Sequence, residues 1–346
     1  MVKDQSVIEI EGKQLKLSNL NKVLYPVAGF TKAQVIDYYV RIAPVLIPHL
    51  RGRPLTLKRY PEGVDGQFFY EKSCPRHRPD WVTTAPIWSE GRNDYIHFCV
   101  IEDVATLVWA ANLADLELHT SLSLAKKIEQ PTMMVFDLDP GEPANIVQCC
   151  QVGFWLREVF EKFGLNCYAK TSGSKGLQMY VPLNTPVFYD ETKPFAHAIA
   201  RLLESEHPEL VVSDMKKALR VGKVLVDWSQ NDEHKTTVNV YSLRAKQRPT
   251  VSTPVSWEEV KRCLSKKDPN LLVFDSQQVL QRAEKMGDIF APVLAEKQKL
   301  PEFGKLQQVE TAARGGKSGG KKAAATVETS ASKTSKAASK AVARKK

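Results

Sequence analysis

Two aspartates one residue apart end a run of apolar residues in MMVFDLDPG, residues 133–141. Side chains at positions i and i+2 of a β-strand project from the same face, so Asp137 and Asp139 are expected to point the same way. A third aspartate, Asp227, ends a second apolar run in KVLVDWSQND. Carboxylates gathered at buried strand ends are costly unless a cation lies between them. Three of them predict a site for two divalent ions, which would clamp the attacking and leaving oxygens of a phosphoryl transfer.

A phosphate-binding loop is predicted at KTSGSKGLQ, residues 170–178, between two apolar strands. Its turn offers backbone N–H groups, the hydroxyls of Ser172 and Ser174 and the ammonium of Lys175, all of which donate readily to a triphosphate. The Walker A pattern is absent, so the turn alone does not define a nucleotide site. Its position one predicted helix after the aspartate pair connects it with the metal site.

Other classes of protein also place D-x-D after a strand. A calcium-binding EF-hand needs Glu at the twelfth loop position, but counting from Asp137 that position holds Gln148. Phosphatases of the haloacid-dehalogenase type use the first aspartate as a nucleophile and carry Thr or Val where this chain has Gly141. The phosphatase is therefore an alternative to nucleotidyl transfer. Capping of a turn by Asp-Pro-Gly is the purely structural alternative.

The elements that must position these residues form a predicted α/β (α+β) protein. Residues 1–130 are expected to form a β-rich N-terminal module, with a helix that begins after Thr31 and ends at Pro48. Residues 131–300 alternate strands with helices, including a long amphipathic helix that begins after Pro143 and ends at Gly164. Polar residues concentrate at the ends of the predicted strands, which places the candidate site at a sheet edge.

Positive charge is concentrated at the C-terminal end of the sequence. Of the formal net charge of +10, +9 lies between Lys305 and Lys346. This segment is rich in Lys, Ala, Ser and Gly and lacks aromatic residues, so residues 305–346 are predicted to be a disordered tail. Such a tail would hold nucleic acid by counterion release without reading sequence, and a solubilising terminus is the alternative.

Composition favours a cytoplasmic, nucleoid-associated protein. No run of 18 apolar residues is present, and the first residues lack the apolar core of a secretory signal. The six cysteines have no regular spacing, which predicts free thiols in a reducing compartment. The alternative is a Cys2His2 zinc site of irregular spacing, formed by Cys74, His77, His97 and Cys99.

Five motifs resemble the polymerase domain of bacterial DNA ligase D, a branch of the archaeo-eukaryotic primase superfamily. WAANLADLELH, VFDLDPGE, TSGSKGL, GKVLVDWSQN and TTVNVYSLRA occur in the family's order and spacing, within about residues 10–300. The resemblance implies a primase-polymerase fold with an RRM-like catalytic sheet. It also implies a template-directed polymerase in DNA repair that extends 3′-hydroxyl ends at gaps and double-strand breaks. Two Mn²⁺ or Mg²⁺ ions and acceptance of ribonucleotides are expected with it.

The resemblance also assigns roles to residues. Asp137, Asp139 and Asp227 match the metal ligands. The residues expected to contact the nucleotide are Lys58, His119, Ser172, Ser174, Lys175, Gln178, Arg220, Gln230 and Arg244. The residues expected to contact DNA are Asn19, Lys22 and Lys32 at a 5′-phosphate, and Phe69 and Tyr70 as a pair that stacks on the template.

One position departs from the family pattern. Gln178 stands where a histidine is usual, and a neutral amide makes a weaker hydrogen bond to phosphate than a charged group does. Weaker nucleotide binding or slower chemistry is the expected consequence. A DNA-end-binding protein with weakened polymerase activity is therefore the alternative function.

The expected partners follow from the same resemblance. They are gapped or broken DNA with a 5′-phosphate, and nucleoside triphosphates. No K-x-D-G motif is present, so sealing is expected from a separate DNA ligase, together with the end-binding protein Ku.

Overall fold

The computed structural model describes residues 5–302, so the predicted basic tail lies outside the described residues. The helices of this part are α1 (Lys32–Leu50), α2 (Val104–Asn112), α3 (Ile146–Lys162), α4 (Tyr189–Glu206), α5 (Trp257–Lys266), α6 (Ser276–Met286) and α7 (Pro292–Ala295). None of these helices is long and apolar enough to cross a membrane.

The strands of the described part form two large sheets and two hairpins. They are β1 (Gln5–Ile10), β2 (Lys13–Ser18), β3 (Val23–Tyr25), β4 (Phe30–Thr31), β5 (Leu55–Arg59), β6 (Phe69–Glu71), β7 (Thr84–Ser89), β8 (Asp94–Cys99), β9 (Asp115–Thr120), β10 (Met133–Pro140), β11 (Tyr168–Thr171), β12 (Leu177–Pro182), β13 (Val211–Val212), β14 (Val224–Asp227), β15 (Thr237–Val238) and β16 (Pro254–Val255). The hairpins pair β1 with β2 and β3 with β4.

The first large sheet, called here the carboxylate sheet, has the strand order β13-β14-β10-β12-β11-β16. Its central strand β10 is antiparallel to both neighbours, β14 and β12. Phe136 and Leu138 of β10 are buried with residues of α3, α4 and α5, whereas Val135 packs into a second core on the opposite face. Because side chains alternate along a strand, Asp137 and Asp139 share the face of Val135.

The second large sheet, called here the N-terminal sheet, has the order β15-β9-β5-β8-β7, with β6 paired to β5. Leu57 and Leu118 are buried in one core with α1 and α2. Strand β15 comes from the second half of the sequence, and residues of α6 and α7 also pack into this core. The boundary predicted near residue 130 therefore does not separate two units of packing, because the chain returns to the first sheet.

Helix α1 begins where its sequence predicts and ends later. The Thr31 side chain accepts a hydrogen bond from the N–H of Gln34, and the Gln34 side chain accepts one from the N–H of Thr31. This reciprocal capping box fixes the first turn. The predicted end at Pro48 is wrong, because the helix continues through Pro44 and Pro48 to Leu50. Burial of the last turn outweighs the backbone hydrogen bonds that the prolines remove.

The prediction of free cysteines is wrong for one pair. Cys74 and Cys99 form a disulfide, with their Cα atoms 4.9 Å apart. The N–H of Cys74 donates to the carbonyl of His97 at 2.7 Å, which holds the segment after β6 against the end of β8. A sequence separation of 25 residues hides this contact. The zinc alternative is also wrong, because both of its cysteines are consumed.

A buried amide holds the central strand of the carboxylate sheet. Asn231 is 1% exposed. Its Oδ1 accepts from the N–H of Val135 at 2.9 Å, and its Nδ2 donates to the carbonyl of Val135 at 2.7 Å and to that of Trp228 at 2.8 Å. The loop after β14 is thereby tied to β10 at Val135, four residues before Asp139.

Replacement of Asn231 by Ala should lower the free energy of unfolding by about 2–4 kcal/mol, because both backbone groups of Val135 lose their partner in the interior. Urea denaturation would measure this loss, with exposed Asn270→Ala as the matched control. A loss as small as that of the control would contradict a structural role for Asn231.

Candidate active site

The pairing of β10 with β14 brings two predicted metal ligands together. Asp137 lies directly opposite Asp227 in the antiparallel register. Asp227 Oδ1 accepts from the N–H and the hydroxyl of Ser229 at 2.8 and 2.6 Å, and its Oδ2 accepts from Gln230 Nε2 at 3.1 Å. Gln230, a predicted nucleotide contact, thus orients a carboxylate.

Asp139, the third predicted ligand, pairs with Arg220. The distance from Arg220 Nη1 to Asp139 Oδ2 is 3.3 Å, and Arg220 Nη2 also donates to the carbonyl of Met215 at 2.6 Å. The approach of this segment depends on Gly141, since a Cβ there would lie 2.0 Å from the carbonyl oxygen of Arg220. The sequence Asp-Pro-Gly therefore allows the segment of Arg220 to pack closely against it, in addition to forming a turn.

The donor set of this cluster suits a hard divalent cation. Burial and the charges of Asp227 and Asp139 raise the pKa of Asp137 to about 6, although a hydrogen bond from Gln178 acts in the opposite direction. Carboxylate oxygens that repel one another are the ligands that Mg²⁺ and Mn²⁺ prefer. Between residues 5 and 302, no group of three or more His, Cys, Asp or Glu side chains is arranged to hold a metal ion. Three-ligand binding therefore stays a prediction.

The predicted phosphate loop closes against the end of β10. The Ser172 hydroxyl accepts from the N–H groups of Ser174 and Gly176 at 3.2 and 3.1 Å, which shapes the turn. A Cβ at Gly176 would lie 2.1 Å from the carbonyl oxygen of Leu138, so only glycine allows this approach. Lys175 is exposed and pairs with Glu142 at 2.8 Å. The loop thus lies beside the carboxylates, as predicted.

Three predicted nucleotide contacts gather around one buried carboxylate on the N-terminal sheet. Glu117 Oε2 lies 3.1 Å from Lys58 Nζ, 3.1 Å from His119 Nε2 and 3.3 Å from Arg244 Nε. Arg244 also donates through Nη1 to the carbonyl of Ser172. This arginine therefore joins the cation cluster of one sheet to the phosphate loop of the other.

Gln178, the residue that departs from the family pattern, is 2% exposed. Its Oε1 accepts a hydrogen bond from Lys170 Nζ, and its Nε2 donates to the Thr237 hydroxyl at 3.4 Å. Burial lowers the pKa of the Lys170 ammonium well below its usual range. The described contacts of Gln178 are thus with protein groups around Asp137.

The predicted stacking pair is divided between the two faces of β6. Tyr70 lies opposite Lys58 and makes an edge contact with His119, with ring centroids 5.8 Å apart. Phe69 lies opposite Arg59 and covers its guanidinium at 5.1 Å. Consecutive strand residues point to opposite faces, so the two rings cannot form one platform.

Phe68 joins Tyr70 instead. Its ring makes an edge contact with Tyr70 at a centroid distance of 5.9 Å, and the Lys58 ammonium lies 4.7 Å from its centre. Phe68 and Tyr70 are 51% and 57% exposed. The exposed rings of Phe68 and Tyr70, called here the aromatic wall, therefore lie beside Lys58.

The residues predicted to hold a 5′-phosphate lie together at the start of α1. Lys32 is 5% exposed, and its Nζ donates to the carbonyl of Ser18 at 2.6 Å. Asn19 adopts a left-handed conformation with φ +55°, and its carbonyl accepts from the N–H of Lys22 at 3.0 Å. Burial, with the charges of Lys22 and Arg59, lowers the pKa of Lys32 to about 8. Lys22 pairs with Glu62 at 2.8 Å, whereas the hydrogen bonds of the Lys32 ammonium go to Ser18.

A cavity of about 610 Å³ lies apart from these clusters. It is found between the start of α4 and the loop after β14, and Phe188, His197, Trp228 and Asp232 are among its lining residues. None of the predicted site residues lines it.

Four residues of the site were not predicted: Tyr60, Phe68, Glu117 and Lys170. Each of them carries a signal that the sequence offers, because it lies two residues from a predicted site residue: Glu117 from His119, Phe68 from Tyr70, Tyr60 from Lys58 and Lys170 from Ser172. Positions i and i+2 share a strand face.

Comparison with known proteins agrees with this geometry. A family model described as "LigD, primase-polymerase domain" matches residues 31–290. The multifunctional non-homologous end joining protein LigD of Mycolicibacterium smegmatis is 40% identical over 286 residues, which are 82% of this chain and 36% of that protein. The bifunctional LigD of Bacillus subtilis is 32% identical over 275 residues, 79% of this chain and 43% of that protein. The chain thus spans less than half the length of these relatives.

A solved structure is similar as well. It is the polymerase domain of Mycobacterium tuberculosis ligase D in complex with DNA, with a TM-score of 0.75 and 37% sequence identity. The similarity covers 82% of this chain and 99% of that one.

The fold and the family match define the class as that of primase-polymerase domains. The chain belongs to the family of LigD primase-polymerase domains, whose members are metal-dependent nucleotidyltransferases. The predicted fold class and family are therefore confirmed. This family assignment excludes the phosphatase alternative.

Replacement of Phe68 by Ala should weaken binding of a single-stranded template overhang by ~1–3 kcal/mol, the usual contribution of one stacked base. Phe69→Ala is the matched control, because its ring lies on the other face with Arg59. Fluorescence anisotropy with a labelled overhang duplex would measure both. A larger loss in Phe69→Ala than in Phe68→Ala would contradict this assignment.

Proposed function

We propose that the chain is a template-directed polymerase that adds nucleotides to a 3′-hydroxyl at gaps and broken ends of DNA. The observation that carries this proposal is the register of β10 and β14, which sets Asp137 opposite Asp227 beside the phosphate loop. A carboxylate pair next to phosphate donors suits the displacement of pyrophosphate from a nucleoside triphosphate.

Asp137, Asp139 and Asp227 would hold the divalent ions, two Mn²⁺ or Mg²⁺. When bound, such ions lower the pKa of an attacking hydroxyl and offset charge on the leaving phosphates. The residues around the carboxylates orient them: Ser229 and Gln230 hold Asp227, and Gln178 contacts the surroundings of Asp137. Release of Asp139 by Arg220 would free both groups, the carboxylate for metal and the guanidinium for phosphate.

The triphosphate would lie between the two sheets. The loop from Ser172 to Lys175 borders the carboxylates, and Arg244 contacts the same loop from the other side. Lys58 and His119 would contact the nucleotide from the N-terminal sheet. Ribonucleotides are proposed as accepted substrates on the strength of the family resemblance.

The DNA would be held at two places. The basic corner of Lys22 and Lys32 would bind a 5′-phosphate on the far side of a gap, and the aromatic wall of Phe68 and Tyr70 would contact template bases. The relatives named above are end-joining proteins. We therefore propose a role in joining broken ends, with Ku and a DNA ligase as partners.

The activity can be tested on a duplex with a one-nucleotide gap and a downstream 5′-phosphate, supplied with Mn²⁺ and either ribo- or deoxynucleotides. Asp137→Asn should reduce extension by more than about 100-fold, equivalent to ~2.7 kcal/mol of transition-state stabilisation. Asp37→Asn, on the exposed face of α1, is the matched control and should leave extension unchanged.

Absence of extension by the wild-type protein would contradict the polymerase proposal. If Gln178→His then restored extension, the weakened enzyme would be the correct alternative. Gap binding without extension in either protein would favour a DNA-end-binding function.

Recognition of the 5′-phosphate should weaken as pH rises from 7 to 9. The ammonium of Lys32 loses its proton around its pKa of about 8, whereas a phosphate monoester, with a second pKa of ~6, keeps its charge. We expect the affinity advantage of phosphorylated over unphosphorylated gaps to fall by up to about tenfold at constant salt. Lys32→Arg stays charged and should give a flat profile. A flat wild-type profile would contradict the assignment.

A further inference from the structure

Glu117 is the common partner of the cation cluster on the N-terminal sheet. Its side chain is 2% exposed, whereas those of Lys58, His119 and Arg244 are 11%, 13% and 15% exposed. Glu117 Oε2 faces all three of these side chains. Its Oε1 accepts from the N–H of Ala245 at 3.0 Å and lies 3.5 Å from the Tyr60 hydroxyl. One carboxylate therefore lies beneath these three more exposed side chains.

We propose that Glu117 is a positioning residue for nucleoside triphosphate binding, which acts by holding Lys58, His119 and Arg244 in the geometry that the phosphates need. The proposal rests on the proposed polymerase function. Glu117 would not contact the nucleotide, because it lies beneath the three side chains.

The physical argument begins with repulsion and side-chain freedom. Lys58 and Arg244 are like charges that face the same carboxylate oxygen, and each has several rotatable bonds. Without a counter-charge they would separate and adopt many rotamers, and a ligand would have to reorder them at a cost in affinity. Glu117 removes that cost before the nucleotide arrives.

Glu117 is suited to this role because it stays ionised. Burial alone would raise its pKa, but the hydrogen bond with His119 and the charges of Arg244 and Lys58 lower the pKa well below its usual range. The N–H of Ala245 also fixes the backbone next to Arg244. Arg244 in turn reaches the phosphate loop through the carbonyl of Ser172.

Two effects of Glu117 on a triphosphate have opposite signs, which makes the proposal easy to test. As a negative charge it repels the phosphates, so its neutralisation by Gln would lower the KM if net charge decided affinity. As a positioning residue it pre-organises three donors, so the same substitution would raise the KM. The sign of the change distinguishes them.

The experiment compares gap filling and nucleotide binding by the wild type, Glu117→Gln and Glu117→Asp. For Glu117→Gln we expect the KM for the nucleotide to rise about tenfold, equivalent to ~1.4 kcal/mol, with kcat within about threefold of wild type. Glu117→Asp keeps the charge but shortens the side chain, so its KM should lie between those of the wild type and Glu117→Gln. Isothermal titration with a nucleoside triphosphate would report the same order of affinities.

Asp115→Asn is the matched control. Asp115 lies two residues before Glu117 on the same strand and is fully buried, but its Oδ1 accepts from the backbone N–H of Lys58 at 2.7 Å. Burial raises the pKa of Asp115 well above its usual range, and the amide oxygen of Asn can still accept from the N–H of Lys58. The KM of Asp115→Asn should equal that of the wild type, even if the Tm of the variant changes.

A double-mutant cycle adds a readout that a purely structural role would not give. If Glu117 acts through Arg244, the rise in KM caused by Glu117→Gln should be much smaller in an Arg244→Gln background. Full additivity would overturn the proposal.

The remaining outcomes are also decisive. A wild-type protein that neither binds nor incorporates nucleotides would overturn the proposed function and this inference together. An active wild type whose KM is unchanged or lowered by Glu117→Gln would overturn the inference alone. So would a Glu117→Gln protein that loses as much affinity for the gapped duplex as for the nucleotide. Should Glu117→Gln fail to fold, an unchanged KM in Glu117→Asp would overturn it in the same way.

Discussion

The two-residue period of β10 constrains the rest of this molecule. Phe136 and Leu138 must be buried under the helices of the carboxylate sheet, and the same pleat turns Asp137 and Asp139 to the opposite face. Like charges are then held close together, and burial, followed by the charges of Asp227 and Asp139, raises the pKa of Asp137. Apolar packing on one face of the strand stabilises a cluster that would be unfavourable by itself.

The neighbours of the carboxylates limit this repulsion. Arg220 pairs with Asp139, and Ser229 and Gln230 donate to Asp227. Asn231, which follows directly, anchors the same loop to β10. The orientation of Asp227 and the stability of β10 therefore depend on one short segment, residues 229–231.

The two sheets meet through residues that come late in the sequence. Thr237 pairs with β9 and contacts Gln178, and Arg244 connects Glu117 with the phosphate loop. Two lysines of the predicted binding sites differ in their partners. Although burial opposes it, Glu117 raises the pKa of Lys58, whereas buried Lys32 contacts the carbonyl of Ser18 and has a lowered pKa. Lys58 thus faces a carboxylate, whereas Lys32 faces a carbonyl.

The sequence by itself determined the local features: the capped start of α1, the strand that carries Asp137 and Asp139, the Gly-Ser-Lys turn and the class of enzyme. These follow from periodicity, capping and motifs, which act over a few residues. Only the tertiary structure decided the disulfide of Cys74, the return of β15 to the N-terminal sheet and the gathering of Lys58, His119 and Arg244 on Glu117. Those features depend on which distant strands become neighbours, and no local pattern records that choice.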